Sequence, residues 1–300
     1  MTGHGAPAAL AKTQRVMPSE IIMSEHQRER FFSPDSMIWR VDREMALLLA
    51  GGRALLMQLA HPKVAAGVAE HSHFKQDPLG RLYRTMSTMW SIVFDETALA
   101  RAALERVKNI HGKVQGTTPA AEPLPSGTPY DALDVELLLW VHATLVDSAL
   151  VAYDVFVTPL AVEKRSRYYN DSKELAYLFE IPEKLVPKTL ADFNGYLERM
   201  LAGSEIAVGP TAGLVAEEIL YPPPWILKPA SPLFRLITAG LLPESLRDAY
   251  GLSWSERKEK AFWLIAKWIR RLRPLVPKPL RVVPNARTAE KALSRRGWKS

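Results

Sequence analysis

The chain has 300 residues, 47% of them hydrophobic and none of them cysteine, with a formal net charge of +7. That apolar content supports a sizeable core and excludes wholesale disorder. The missing thiols exclude disulfides, thiolate-bound zinc, iron–sulfur clusters and Cys-ligated haem. The charge is uneven: Arg257–Ser300 holds fourteen Lys/Arg against two Glu, so this tail stands at +12 and the rest of the chain at −5.

Residues 1–30 show no sustained periodicity and no long apolar run, which predicts a flexible N-terminal segment without a secretory leader. The expected location is the cytoplasm, with a membrane face as a candidate contact of the basic tail. From Trp39 the text turns helical, as in "RVDREMALLLAGGRALLMQLAHPKVAAGVAEH", with breaks at Gly51-Gly52 and His61-Pro62. The spacing then predicts helices over Leu79–Val93 and Ala98–Val114, followed by a Gly/Pro/Thr-rich loop at Gly116–Pro129. Asp131 is the expected N-cap of a long apolar helix, Ala132–Tyr153. Asp134, Glu136, His142 and Asp147 interrupt that helix, which marks a buried core element and not a membrane span.

A further helix is expected near Thr158-Pro159, with Ala161–Asn170 as its body. "KELAYLFEIP", "TLADFNGYLERML" and "TAGLVAEEIL" continue the pattern, "YPPPW" breaks it, and two helices follow near Leu233–Ala239 and Glu244–Tyr250. There is no alternating strand pattern and no internal repeat. The reading is an all-α single domain of about ten helices.

The last predicted helix, Glu256–Arg273, has an apolar stripe of Ala261, Phe262, Ile265, Trp268, Ile269 and Leu272, decorated by Lys258, Lys267, Arg270, Arg271 and Arg273. The commoner fate of such a stripe is to pack on the core; the other is to lie on an anionic membrane surface. Beyond Pro274 the Pro-rich, basic text predicts a mobile tail. The expected division is therefore 1–30, a catalytic domain over 31–255, and a basic helix and tail over 256–300. With no recognition motif and no interleaved aromatics, nucleic acid is not an expected partner.

Candidate chemistry begins at Gly80–Trp90, "GRLYRTMSTMW". Arg81, Arg84 and Thr85 share one helical face beside methionines and a tryptophan. A solvated face and a polar cluster aimed at a ligand both explain this. Met57, Met86, Met89 and Trp90 are candidate apolar walls, although such a stripe is more often plain core. His61, His71 and His73 cluster at a helix end, where capping is the default role and no zinc spacing appears.

His111 falls on one face with Ala100, Leu104 and Val107, opposite Arg101, Glu105 and Lys108. A buried imidazole needs a hydrogen bond or a metal; taken alone, a hydrogen-bonded core histidine is the commoner outcome. His142 lies in "LLLWVHATLVDSAL", where nearly every face is apolar, and Asp147 on that helix needs a partner. Two histidines on apolar faces and two arginines beside a Met/Trp wall favour a flat, apolar, anionic cofactor. Haem fits, since its iron takes a neutral imidazole and its propionates take arginines.

The segments "LAHPKVAAGVAEHSHFKQDPLGRLYRT", "IHGKVQG", "LLLWVHATLVDSAL" and "GLLPESLRDAYGL" resemble, in order, the family of MpaB-type oxygenases and rubber-cleaving latex clearing proteins. The resemblance spans about residues 40–252. It implies haem b in an all-α domain with a globin-like core, and dioxygen-dependent cleavage of an isoprenoid C=C bond in a hydrophobic substrate. The family motif, Arg-x3-Thr with a histidine on the next helix, matches Arg81, Thr85 and His111. By that match His111 is the iron ligand, Arg81 and Thr85 belong to the polar set around the haem, and His142 is a further haem-side histidine. Arg84 stands where the rubber-cleaving members carry lysine, and Glu70 is a nearby carboxylate. Arginine is effectively never deprotonated and is a poor iron ligand, so Arg84 is expected either to donate hydrogen bonds to bound oxygen or to pair with a propionate. Two other readings of the chain are a haem-binding sensor or carrier without catalysis, and a haem-free lipid-binding helical protein at the membrane surface.

Overall fold

The computed structural model describes residues 29–71, 78–120, 122–221 and 230–298, with side chains of 78–83 outside the description. Residues 1–28 of the predicted N-terminal segment, His73, the side chain of Arg81 and the "PPPW" break therefore lie outside the described residues. What is described is mostly helical, in the order α1 (Met37–Asp42), α2 (Gly51–Leu59), α3 (Pro62–His71), α4 (Pro78–Phe94), α5 (Thr97–His111), β1 (Gln115–Thr117), β2 (Pro129–Asp131), α6 (Val135–Phe156), α7 (Val162–Leu178), α8 (Leu190–Ala202), α9 (Pro210–Leu220), α10 (Ser231–Leu241), α11 (Glu244–Ala249), α12 (Glu256–Leu272), α13 (Lys278–Arg281) and α14 (Pro284–Arg295). A 3-10 helix, Met45–Ala50, leads into α2, and another, Arg273–Leu275, follows α12.

α6 is the central element. Its apolar residues run round the whole helix, so neighbours must cover every side. The 3-10 helix, α1, α2, α7 and α12 do so. Asp134, not Asp131, caps it, accepting from Glu136 N at 2.9 Å. Among the described residues α6 is the one helix long and apolar enough to cross a membrane. Its polar side chains are nonetheless used internally: Asp147 pairs with Arg53 at 2.5 Å, and Asp154 pairs with Arg165 and accepts from Leu160 N. Trp140 is fully buried and donates its indole N–H to Met57 O at 3.2 Å.

Local signals explain the surrounding elements. Ser36 caps α1, while Asp171 of α7 accepts from Met37 N and Ile38 N, pinning that helix start to α7. Thr189 and Asp192 form a reciprocal capping box on α8. Gly240 of α10 seats α12: a Cβ there would stand 2.5 Å from the Phe262 ring, so only glycine lets the two helices close.

Three expectations change. β1 and β2 form an antiparallel pair with Gly116 opposite Tyr130; at three residues each they are too short for alternation to show. The chain beyond Pro274 is ordered, not mobile. Val282, Val283, Ala286 and Ala289 join the main core, Val283 N donates to Arg43 O, and Asn285 donates to both oxygens of Asp95. Arg43 and Lys278 meet buried Glu290, and Arg273 meets buried Glu44. Finally, Trp268 and Leu272 are not packed: both are about half exposed, at 54% and 47%.

Candidate functional site

Only Asp95 and Glu96 separate α4 from α5, and the two helices pack side by side. So short a link makes them an antiparallel hairpin. At equal rise per residue, the first turns of α4 return to the level of the last turn of α5. Arg81, Arg84 and Thr85 therefore share the end of the hairpin that carries His111, the last residue of α5. Arg84 and Thr85 are exposed, Met86 beside them is half-buried, and Met89 and Trp90 are half-buried more than one turn further along α4. Met57 is fully buried in the core.

The expected face of α5 is present: Ala100 is fully buried and Leu104, Val107 and His111 are half-buried, whereas Arg101, Glu105 and Lys108 are exposed. Burial lowers the pKa of His111 below the ordinary 6.5, so its ring is neutral at neutral pH. Beyond it the chain enters the β1–β2 hairpin, and Ala132 N donates to Val114 O at 2.9 Å. That bond ties the end of α5 to the start of α6. His142 lies about two turns into α6 from this junction, about 12 Å of helical rise. It is 8% exposed, its Nε2 has no partner, and burial pushes its pKa down to about 4.

The same junction carries a polar cluster on α3 and the strand pair. Tyr130 Oη donates to Glu70, and His71 Nε2 lies 3.2 Å from Gln115 O. Gly116 lies under the first of these: a Cβ would stand 2.5 Å from Tyr130 Oη and 2.9 Å from Glu70 Oε2. His61, whose pKa burial lowers to about 4, accepts from Lys63 N at 3.3 Å and so caps α3. His61 and His71 thus take the capping and backbone-bonding roles expected of them.

The donor set can be tested against haem. Among the described residues no three His, Asp or Glu come together to hold a bare metal ion. A porphyrin brings four nitrogens of its own and asks the protein for one imidazole. His111, neutral and on an apolar helix face, fits that demand. The orphaned Nε2 of His142, unlike the half-buried ring of His111, lies in a buried imidazole. The described contacts do not join His111 to His142.

Sequence reasoning missed Arg53, a charge inside the otherwise apolar "GGRALLMQ". The residue is 4% exposed and each guanidinium nitrogen donates: Nε to Leu241 O, Nη1 to Ser148 and Nη2 to Asp147. This supplies the partner Asp147 requires and satisfies a free carbonyl at the end of α10.

These features define a helical domain with a half-buried imidazole at the end of a helical hairpin. The family model "ER-bound oxygenase mpaB/B'/Rubber oxygenase, catalytic domain" matches residues 39–271, and the chain belongs to that family. It is similar to an uncharacterised protein of Mycobacterium tuberculosis and to one of Mycobacterium bovis. Each is 28% identical over 219 residues, covering 71% of this chain and 83% of the relative. No solved structure gives a significant match.

Proposed function

We propose that the protein is a haem b-dependent oxygenase acting with dioxygen on a hydrophobic, isoprenoid-like substrate. The observation that carries this reading is the half-buried His111 on the apolar face at the end of α5, within a chain that belongs to a family of oxygenase catalytic domains. Haem b, when bound, would supply the binding and activation of dioxygen.

The chain's own residues divide the remaining work. His111 would hold the iron through a ring that burial keeps unprotonated. Arg84 is a permanent cation: it donates hydrogen bonds to developing negative charge and accepts no proton. Arg81 would pair with anionic carboxylates at the same hairpin end. Thr85 adds a hydroxyl that both donates and accepts. Met86, Met89 and Trp90 offer polarizable apolar contact to a substrate without hydrogen-bonding groups.

Purified protein is incubated with a polyprenyl alcohol under isotopically labelled dioxygen, and the products are read by mass spectrometry. Labelled carbonyl or hydroxyl products are expected from wild type and not from His111→Ala. Reversible dioxygen binding without labelled product would replace the oxygenase reading by that of a carrier.

A further inference from the structure

α12 has two faces of different kinds. Its inner line is Phe262 and Ala266, 2% and 1% exposed, with Ile265 and Ile269 half-buried against α6 and α10. Arg270 also turns inward and donates to Asp154 O and Val155 O, covering free carbonyls at the end of α6. The opposite half of the helix is not polar. Trp263, Leu264, Trp268 and Leu272 are 50%, 56%, 54% and 47% exposed, and Leu275 on the following 3-10 turn is 78% exposed. At 100° per residue these five share about half the helix circumference with Lys260, Lys267 and Arg271.

We infer that this outer face of α12 docks on the surface of a lipid bilayer rich in anionic headgroups. Trp and Leu interleaved with Lys and Arg is the composition of a helix lying in the interfacial plane. Indole rings suit that depth, since one edge is apolar and the other donates a hydrogen bond. Within the sector, Glu256 is the acidic exception and pairs with Lys260 at 3.6 Å. Glu259, beside the sector, binds the indole N–H groups of Trp254 and Trp263 at 2.5 Å each, fixing the Trp263 ring. The occupant follows from charge. A second copy meeting this face across a two-fold axis would bring two sectors of the same net positive charge, each with Lys260, Lys267 and Arg271, against one another, which is repulsive. A nucleic acid would leave Leu264 and Leu272 uncovered by anything apolar. An anionic bilayer offers acyl chains to the leucines and headgroups to the cations at once. The inference stands apart from the haem reading and uses none of its residues.

The test is co-sedimentation of the full chain with vesicles of phosphatidylcholine alone or phosphatidylcholine mixed with phosphatidylserine, with tryptophan emission followed in parallel. Wild type is expected to bind the mixed vesicles, with a blue shift, and not the neutral ones. Lys267→Gln/Arg271→Gln is expected to lose on the order of thirty-fold in partitioning, as two interfacial cations imply. Trp268→Ser/Leu272→Ser is expected to lose the blue shift while its circular dichroism and melting stay those of wild type, because both side chains are already half exposed. Equal binding to neutral and anionic vesicles, or variants that bind as wild type does, overturns the inference. A dimer in lipid-free solution that the Trp268→Ser/Leu272→Ser variant breaks overturns it as well.

Discussion

Arg53 of α2 and Asp147 of α6 meet inside the protein, Nη2 to Oδ2 at 2.5 Å, with Ser148 and the Leu241 carbonyl accepting from the other two guanidinium nitrogens. Three helices are thus joined at one buried cation. Removing one partner of such a pair strands the other in the core, at a cost of about 3–5 kcal/mol. Arg53→Ala is expected to fall in that range by urea unfolding, whereas Arg53→Met combined with Asp147→Leu is expected to cost less than Arg53→Ala alone. A double variant costing more than the two single substitutions together would contradict this account of the pair.

Acid sensitivity follows from His61 and His142. Burial holds both near pKa 4 against the ordinary 6.5. Below 6.5 the unfolded chain takes up protons that the folded one refuses until about 4, so stability present above pH 6.5 is lost as pH falls through that window. Each ring accounts for about 1.4 kcal/mol per pH unit, about 3 kcal/mol across the window. Asp42 works in the opposite direction, because burial pushes its carboxyl up to about 7 and its protonation favours the folded state. Two histidines against one carboxyl leave a net loss. Wild type is expected to weaken steadily toward pH 4, and His142→Leu to weaken less steeply by about one histidine's share. Identical pH slopes for the two proteins would show that His142 is not held neutral.

The C-terminal segment is structural. Val283 is 1% exposed, and its N–H bonds Arg43 O. Val283→Ala is expected to cost about 2 kcal/mol, from two lost methyl groups and a partial cavity. Arg281 and Arg287 flank it within ordered chain, so trypsin is expected to cleave there slowly in wild type and quickly in the variant. Rapid cleavage of wild type at both sites would restore the mobile-tail reading.

Gly116→Ala tests the ground beside His111. A methyl group 2.5 Å from Tyr130 Oη must displace the Tyr130–Glu70 bond, at about 1–3 kcal/mol. The expected result is a lower melting temperature, with little further loss when Tyr130→Phe is added. Full additivity of the two changes would place the clash elsewhere.

Most of the helical frame is legible in the sequence because apolar spacing persists over long windows. The α5 face of Ala100, Leu104, Val107 and His111 reads directly from it. What escapes depends on partners far along the chain. Val282 and Val283 sit in basic, Pro-rich text, and their order comes from contacts with Arg43 and Glu44 some 240 residues earlier. The α12 stripe is wider than the groove it enters: Phe262 and Ala266 fill that groove, so Trp268 and Leu272 are left outside. Asp134 displaces Asp131 as the cap because β2 consumes Asp131 in pairing with Gln115. The histidines were visible as residues on apolar faces, but the free Nε2 of His142 is a property of packing.

The central claim is that His111 holds a haem, and the absorption spectrum of the purified protein, with iron quantified, tests it most directly. The account expects a Soret band with about one iron per chain, and its loss or marked displacement in His111→Ala at unchanged helix content. Protein that stays colourless and gives no spectral change on addition of haemin would contradict it.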